Sequence, residues 1–200
     1  MCRLLETIKL EDGKLRNLEY HNRRFNASRK EMFGIAGDAD LASMISVPDD
    51  LGKGLYRCRV IYRNKIEKIE FIPHESRIVR SLKLVKAVDI DYSFKYADRS
   101  LLEILYDKRG DCDEILIVKD RFITDTSISN IAFRCDDGSW VTPDTPLLNG
   151  TMRMYLLDSG QIGKTEIRYG DLTQYTGAKM INCMMDLDSA PLIEMDRIID

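Results

Sequence analysis

Histidine is scarce in this chain: His21 and His74 are the only two in 200 residues. Far apart as they are, they leave little room for a His-based metal site or a Ser-His-Asp triad. Cysteine is sparse and scattered. Cys2, Cys58, Cys112, Cys135 and Cys183 are odd in number and form no CxxC pair, so they read as reduced thiols, with neither a disulfide framework nor a zinc site indicated. A basic surplus is missing too. The formal net charge of -3 argues against nucleic acid as the main partner, because phosphate backbones are bound by an excess of Lys and Arg. No apolar run approaches the roughly 20 residues that cross a bilayer, and the N-terminus lacks the basic-then-apolar layout of a signal peptide. A cytoplasmic protein with no membrane partner is expected. Internal repeats and low-complexity tracts are absent. The chemistry left is that of lysine, carboxylates or a cofactor.

What is present is ordinary globular material. Hydrophobic residues at 44% and charged residues at 32% are the balance of a soluble protein with a core, and the length allows one domain or two small ones. The stretch that stands out is Asp91-Tyr92-Ser93-Phe94-Lys95-Tyr96-Ala97-Asp98-Arg99. It falls between an apolar strand run, Leu82 to Val88, and a helix carrying Leu101, Ile104 and Leu105 at helical spacing. A lysine is nucleophilic only without its extra proton, and an apolar wall of Tyr92, Phe94 and Tyr96 would favour the neutral amine at Lys95. The plainer alternative is a surface lysine whose stem lies along tyrosines.

Upstream, Leu5 to Leu10 and Leu15 to Leu18 flank Asp12-Gly13, a hairpin signal. Glu19 to about Phe33 reads as a helix stopped by Gly34, with Tyr20, Arg24 and Ala27 to Ser28 on one side. His21 and Arg24 share a face, which composition alone reads as a solvated basic surface. A short helix over Leu41 to Ile45 precedes a loop through Pro48, Gly52 and Gly54. Leu55 to Tyr62 and Ile66 to Ile72 are strands, and period two puts Arg57 and Arg59 on one face. Two adjacent guanidiniums repel unless something anionic sits between them: a substrate carboxylate, or Glu67 and Glu70 on the same sheet. Pro73 to Arg77 reads as a linker.

Downstream, Glu114 to Val118, Arg121 to Thr124, Asn130 to Phe133 and Trp140-Val141 read as an antiparallel meander interrupted by Asp125-Thr126-Ser127-Ile128-Ser129. Asp125 is either an Asx-type turn former or a ligand carboxylate at a strand end. Asn149-Gly150-Thr151 opens a helix running to about Leu157, where backbone amides and the helix dipole can hold an anion. Any N-cap has that look. Tyr169 to Leu172 begins another short helix, and Lys179 to Met185 reads as a buried strand.

In order, these pieces resemble the class IV (fold type IV) pyridoxal-phosphate enzymes, which include branched-chain aminotransferases, D-amino acid aminotransferases and aminodeoxychorismate lyases. Leu5-Glu6-Thr7-Ile8 resembles the family's "FETI" strand, His21-x-x-Arg24 its "HxxRL" helix, and Phe94-Lys95 its Schiff-base lysine. Ile123-Thr124-Asp125-x-Ser127-x-x-Asn130-Ile131-x-Phe133 resembles "VTEgSxxNxF", and Leu148-Asn149-Gly150-Thr151-Met152-Arg153 resembles the phosphate loop. The resemblance implies an α+β, two-domain D-amino acid aminotransferase-like fold: a small N-terminal α/β domain over 1–78, and a larger C-terminal cofactor-binding domain over 79–200 with a sheet or pseudobarrel and helices. It also implies pyridoxal 5'-phosphate as cofactor and a homodimer acting on a small amine or carboxylate.

By the same resemblance Lys95 is the catalytic lysine. Arg24, Gly150, Thr151 and Met152 hold the phosphate with Asn182 and Cys183 nearby, and Asp125 pairs with the pyridine nitrogen in place of the usual glutamate. No metal is implied. Substrate contacts that relatives draw from an upstream hairpin and glycine-rich segment have no counterpart here. Lys95-x-x-Asp98-Arg99 is similar to the lyase subgroup's "KxxNR", and Asn149-Gly150-x-Met152-Arg153 to its "NGxMR". The expected reaction is therefore conversion of 4-amino-4-deoxychorismate to 4-aminobenzoate and pyruvate for folate. A class IV aminotransferase for branched-chain or D-amino acids and a non-catalytic relic of the fold are the alternatives.

Overall fold

The structure is a computed structural model and describes residues 2–200. Its strands form three four-stranded sheets, and its contacts divide the chain into two compact units.

The first unit comprises the residues up to Ser76 together with Phe94–Asp98. Its sheet is antiparallel in the order β2-β1-β3-β4, with β1 Leu4–Glu11, β2 Lys14–Leu15, β3 Leu55–Tyr62 and β4 Ile66–Pro73. Asp12 and Gly13 both take positive φ, 49° and 76°, which gives the two-residue turn whose twist matches the flanking strands. Leu4, Ile8 and Leu10 alternate inward along β1 and meet Cys58, Val60 and Tyr62 from β3 in one core. Helix α1, Leu18–Phe33, ends at Gly34 with φ 68°, and the short α2, Leu41–Met44, is capped by the Asp40 carboxylate accepting from the Ala42 amide. The face α1 buries is His21, Phe25 and Ser28, one residue away from the face the sequence pattern predicts. Phe25 meets Tyr62 edge-on at 4.5 Å. His21 is therefore no part of a solvated basic surface: it is fully buried.

Residues 94–98 complete this unit by lying along the start of β1. Leu4 bridges antiparallel to Tyr96, the Leu5 amide donates to the Lys95 carbonyl, and the Ala97 amide donates to the Arg3 carbonyl, each at 2.9 Å. Phe94 and Tyr96 pack on the unit's core, so Lys95 sits between two anchored aromatic residues.

The second unit spans Arg77–Ser93 and Arg99–Asp200. One of its sheets has the order β12-β5-β6-β7, with β5 Leu82–Lys86, β6 Glu114–Lys119, β7 Phe122–Thr126 and β12 Ile198–Ile199. The other runs β10-β9-β8-β11, with β8 Asn130–Arg134, β9 Trp140–Pro143, β10 Gly163–Thr165 and β11 Gly177–Ile181. The interrupted meander expected from sequence is divided between two sheets at its polar interruption. β6 and β7 pair antiparallel, β8 and β9 pair antiparallel, and β7 and β8 belong to different sheets. The step between them is the polar segment 126–129, where Thr126 and Ser129 close a tight turn through Thr126 N to Ser129 O at 2.9 Å. Leu116, Val118 and Ile123 from one sheet share a core with Ile131, Phe133 and Met180 from the other.

Helix α3, Ser100–Tyr106, buries Leu102 and Leu105. Leu101 and Ile104, which recur at helical spacing, are 55% and 57% exposed. Helix α4, Thr151–Asp158, sets Leu156 and Met152 against Ala132 and Ile181. No helix among the described residues is long and apolar enough to cross a membrane.

Candidate active site

In the first unit the polar centre is Glu6 of β1, which is 0% exposed. Alternation along β1 points it inward with Leu4 and Ile8, toward the buried face of α1. Arg24 approaches as a fork: Nε donates to Glu6 Oε1 at 2.9 Å and Nη2 to Oε2 at 2.6 Å. His21 Nδ1 lies 2.7 Å from Glu6 Oε2. Burial pushes the Glu6 carboxyl up, but the Arg24 charge and the hydrogen bonds from His21 and Arg24 overcome it and hold Glu6 down at about 2. An ionised carboxylate only accepts, so the proton at this contact is on His21 Nδ1. Burial also keeps His21 below its ordinary value; the Glu6 contact works the other way, and the charges of Arg24 and Lys95 add to the lowering. His21 thus senses Lys95, which places Lys95, His21, Arg24 and Glu6 in one electrostatic group.

In the second unit the polar centre is Asp125 at the end of β7, 5% exposed. Asn130 Nδ2 donates to its Oδ1 at 2.7 Å and the Leu148 amide to its Oδ2 at 2.9 Å. Burial raises the Asp125 carboxyl to about 6; the Leu148 and Leu147 amides, Asn130 and the Arg153 charge only moderate the rise. Asp125 does not form the Asx turn that its sequence context allows. Thr126 takes that role, its Oγ1 accepting from the Ile128 and Ser129 amides at 3.3 and 3.0 Å. Ser127 is braced from two sides, by Arg99 Nη2 donating to its carbonyl at 2.9 Å and by its own hydrogen bonds to buried Glu114.

Asn130 also reaches the loop before α4, donating to the Leu148 carbonyl at 2.8 Å. Gly150, the N-cap of α4, approaches so closely that a Cβ there would lie 2.0 Å from Asn130 Oδ1. Gly150 brings no side-chain cap, and the helix opens with buried Thr151 and half-buried Met152. Arg153 is 5% exposed. Its Nη1 donates to Asn149 Oδ1 at 2.9 Å and its Nη2 to the Pro143 carbonyl at 2.8 Å, while its buried Nε has no partner.

Asn182 follows β11 and spends its Oδ1 on the Met184 and Met185 amides at 2.8 and 3.2 Å, forming a turn that carries half-buried Cys183. Its neighbour Ile181 packs in the same cluster as Met152. Arg59 is bound to Glu70, Nη1 to Oε2 at 3.3 Å, so the sheet-carboxylate alternative holds for that arginine, while Glu67 pairs with Arg63 instead. Arg57 makes no such pair and lies opposite Lys9. Three site-forming residues were absent from the sequence assignment: Glu6, Asn130 and Arg153. All three stand inside motifs already quoted, and alternation in β1 was the available signal for Glu6.

The chain matches the family model described as amino-transferase class IV over residues 3–188. It is 40% identical over 189 residues to an uncharacterized protein of Haemophilus influenzae, covering 94% of this chain and all of that one. A crystal structure from Haemophilus somnus named "putative 4-amino-4-deoxychorismate lyase" superposes with a TM-score of 0.87 at 36% identity, covering 94% of this chain and 98% of the other. A "putative amino-acid aminotransferase" from Mesorhizobium loti superposes with a TM-score of 0.80 at 22% identity, covering 97% and 98%.

Proposed function

The chain belongs to the class IV aminotransferase family, and on that premise we propose that it is a pyridoxal 5'-phosphate enzyme of the lyase branch, converting 4-amino-4-deoxychorismate to 4-aminobenzoate and pyruvate. The observation that carries the lyase reading is the 36% identity, over nearly the whole of both chains, to the Haemophilus somnus protein of that name. The residues fit the cofactor. Asp125 is a buried acceptor suited to a ring nitrogen, and Gly150 leaves the start of α4 without a Cβ or capping side chain where a phosphate would approach. When bound, pyridoxal phosphate supplies an aldehyde that captures the substrate amine and a cationic ring that accepts its electron pair.

In the first unit, the Arg24 guanidinium would hold the phosphate while Glu6 fixes its plane. Lys95 Nζ takes the proton from the amine-bearing carbon of the substrate and returns a proton to the departing three-carbon group, leaving an aromatic ring and pyruvate. In the second, Asp125 would keep a proton on the ring nitrogen, and the Thr151 and Met152 backbone amides at the start of α4 would hold the phosphate. A class IV aminotransferase acting on branched-chain or D-amino acids is the second reading, favoured by the family's own description.

The deciding experiment offers the purified protein 4-amino-4-deoxychorismate and, separately, amino acids with 2-oxoglutarate. The lyase reading expects 4-aminobenzoate, together with a near-visible absorbance band removed by borohydride and by Lys95→Ala. Keto acid exchange without an aromatic product would reverse the order of the two readings. A colourless preparation indifferent to amino donors would leave a non-catalytic relic.

A further inference from the structure

The loop between β9 and α4, residues 144–150, is closed by one side chain of the second unit. Arg153, in the first turn of α4, reaches back across it. Its Nη2 donates at 2.8 Å to the carbonyl of Pro143, where β9 ends, and its Nη1 donates at 2.9 Å to Asn149 Oδ1, just before the N-cap Gly150. Both ends of the loop are therefore held by the same planar fork. The arginine is 5% exposed, and its Nε is shut off from water without an acceptor. Burial works against its charge, and the anions that favour it are Asp125 and Asp144, yet its hydrogen bonds go to neutral oxygens. A buried cation set on neutral acceptors, with one N–H left over, leaves part of its desolvation uncompensated.

What the loop carries accounts for that placement. Leu148, the residue before Asn149, gives its amide to Asp125 Oδ2 at 2.9 Å and accepts Asn130 Nδ2 on its carbonyl at 2.8 Å, while the same Asn130 nitrogen donates to Asp125 Oδ1 at 2.7 Å. Asp125, Asn130 and Leu148 form a closed triangle. Two of its corners stand on β7 and β8, and the third is a loop residue whose place depends on how the loop is tied. At its start the loop is fixed by the Asp144 amide donating to the Thr165 carbonyl at 2.9 Å. Toward its end Arg153 fixes Asn149 beside Leu148.

We propose that Arg153 is a positioning residue for Asp125: by pinning Asn149 and the Pro143 carbonyl it keeps the Leu148 amide on the carboxylate. Its charge also bears on Asp125, favouring the ionised form without a contact. A direct pair would occupy the carboxylate oxygens, as Arg24 occupies those of Glu6; the route through Asn149 leaves them to neutral donors. The value of this to a ring nitrogen rests on the cofactor reading above, whereas the tether does not.

The Leu148 amide reports on both effects. In the cofactor-free protein its proton shift should follow the ionisation of Asp125, and its hydrogen exchange should measure how firmly the loop is held, each read by amide-resolved NMR. Asn149→Ala, a change at an exposed residue that cuts one tether, should speed Leu148 exchange about tenfold or more relative to Ile131 and Met180, which face each other across β8 and β11 and report the intact fold. Arg153→Met should do the same and also move the Leu148 titration to higher pH, because a charge that favours ionised Asp125 has gone. Arg153→Lys keeps the charge without the fork, so exchange should quicken while the midpoint stays nearer that of wild type. If Arg153→Met does not fold, Asn149→Ala and Arg153→Lys decide the matter. An arginine that only adds stability would quicken Leu148, Ile131 and Met180 alike and leave the titration in place. That result, an unchanged Leu148 in Asn149→Ala, or a titration moving to lower pH in Arg153→Met would each overturn the proposal. Uptake of pyridoxal 5'-phosphate by the wild type, with Leu148 behaving alike in every variant, would sink this inference alone; the Leu148 changes in a chain that never takes up the cofactor would sink the functional reading alone.

Discussion

Two buried carboxylates, one in each unit, are displaced in opposite directions. Glu6 is held at about 2 and Asp125 is raised to about 6, although burial pushes both upward. The difference lies in what compensates them. Glu6 receives a bidentate guanidinium in direct contact and an imidazole N–H, whereas Asp125 receives an amide side chain and backbone amides, with Arg153 turned to Asn149 and the Pro143 carbonyl. Neutral donors satisfy hydrogen-bond geometry without supplying charge, so the cost of burying the anion survives. A contacting cation reverses it. Glu6 is built as a permanent anion that anchors Arg24, and Asp125 as a carboxylate that would gain from a cation brought beside it.

The largest test of this contrast is Glu6→Gln. Removing the anion leaves Arg24 buried beside a neutral group, and urea unfolding should show a loss of about 3–5 kcal/mol; a loss below about 1 kcal/mol, the size of an exposed pair, would mean Glu6 is no such anchor. Gly150→Ala probes the other unit. Its Cβ would strike Asn130 Oδ1 at 2.0 Å, so a loss of about 1–3 kcal/mol is expected, and Asn130→Ala in the same chain should recover part of it. Full additivity would show that the two do not meet.

The pH dependence of stability should separate the carboxylates by sign. The folded value of Asp125 lies above its unfolded 3.8, at about 6, so its contribution is complete below 3.8 and is lost as pH rises through about 6. Glu6 lies below its unfolded 4.5, at about 2, so its contribution is complete above 4.5 and is lost as pH falls toward 2. In the cofactor-free protein, Asp125→Asn should remove a fall of about 3 kcal/mol across the first window, and Glu6→Gln should flatten the second. Identical slopes in wild type and variant would refute the assignment. The smallest effect belongs to Arg59→Gln. Arg59 and Glu70 keep 32% and 24% of their side-chain surface exposed, so the change in stability should stay within about 1 kcal/mol.

Local chemistry was legible where it is local in origin. Asp12-Gly13 specifies its own turn, Gly34 its own helix stop, and the polar run after Asp125 its own break between strands. The inward face of α1 was not, because His21 can be buried only through Glu6, fifteen positions earlier in another element. Asp125 was readable as a turn former or a ligand carboxylate, and the choice depended on Thr126 closing the turn and on the Leu148 amide, 23 positions on, closing over the carboxylate. Nor does any side-chain pattern announce that residues 94–98 belong with the N-terminal sheet, since backbone bonds hold them there. The arginine pair on β3 divided, one taken by Glu70 and one left facing Lys9, because a face shared by period two says nothing about which carboxylate the next strand delivers.

Leu5 hooks the peptide of Lys95, and the next residue along, Glu6, clasps Arg24. The backbone of Lys95 and the guanidinium of Arg24 are therefore tethered to a single dipeptide of β1. Should the first unit flex, the Lys95 peptide and the Arg24 guanidinium would travel with that dipeptide as one piece.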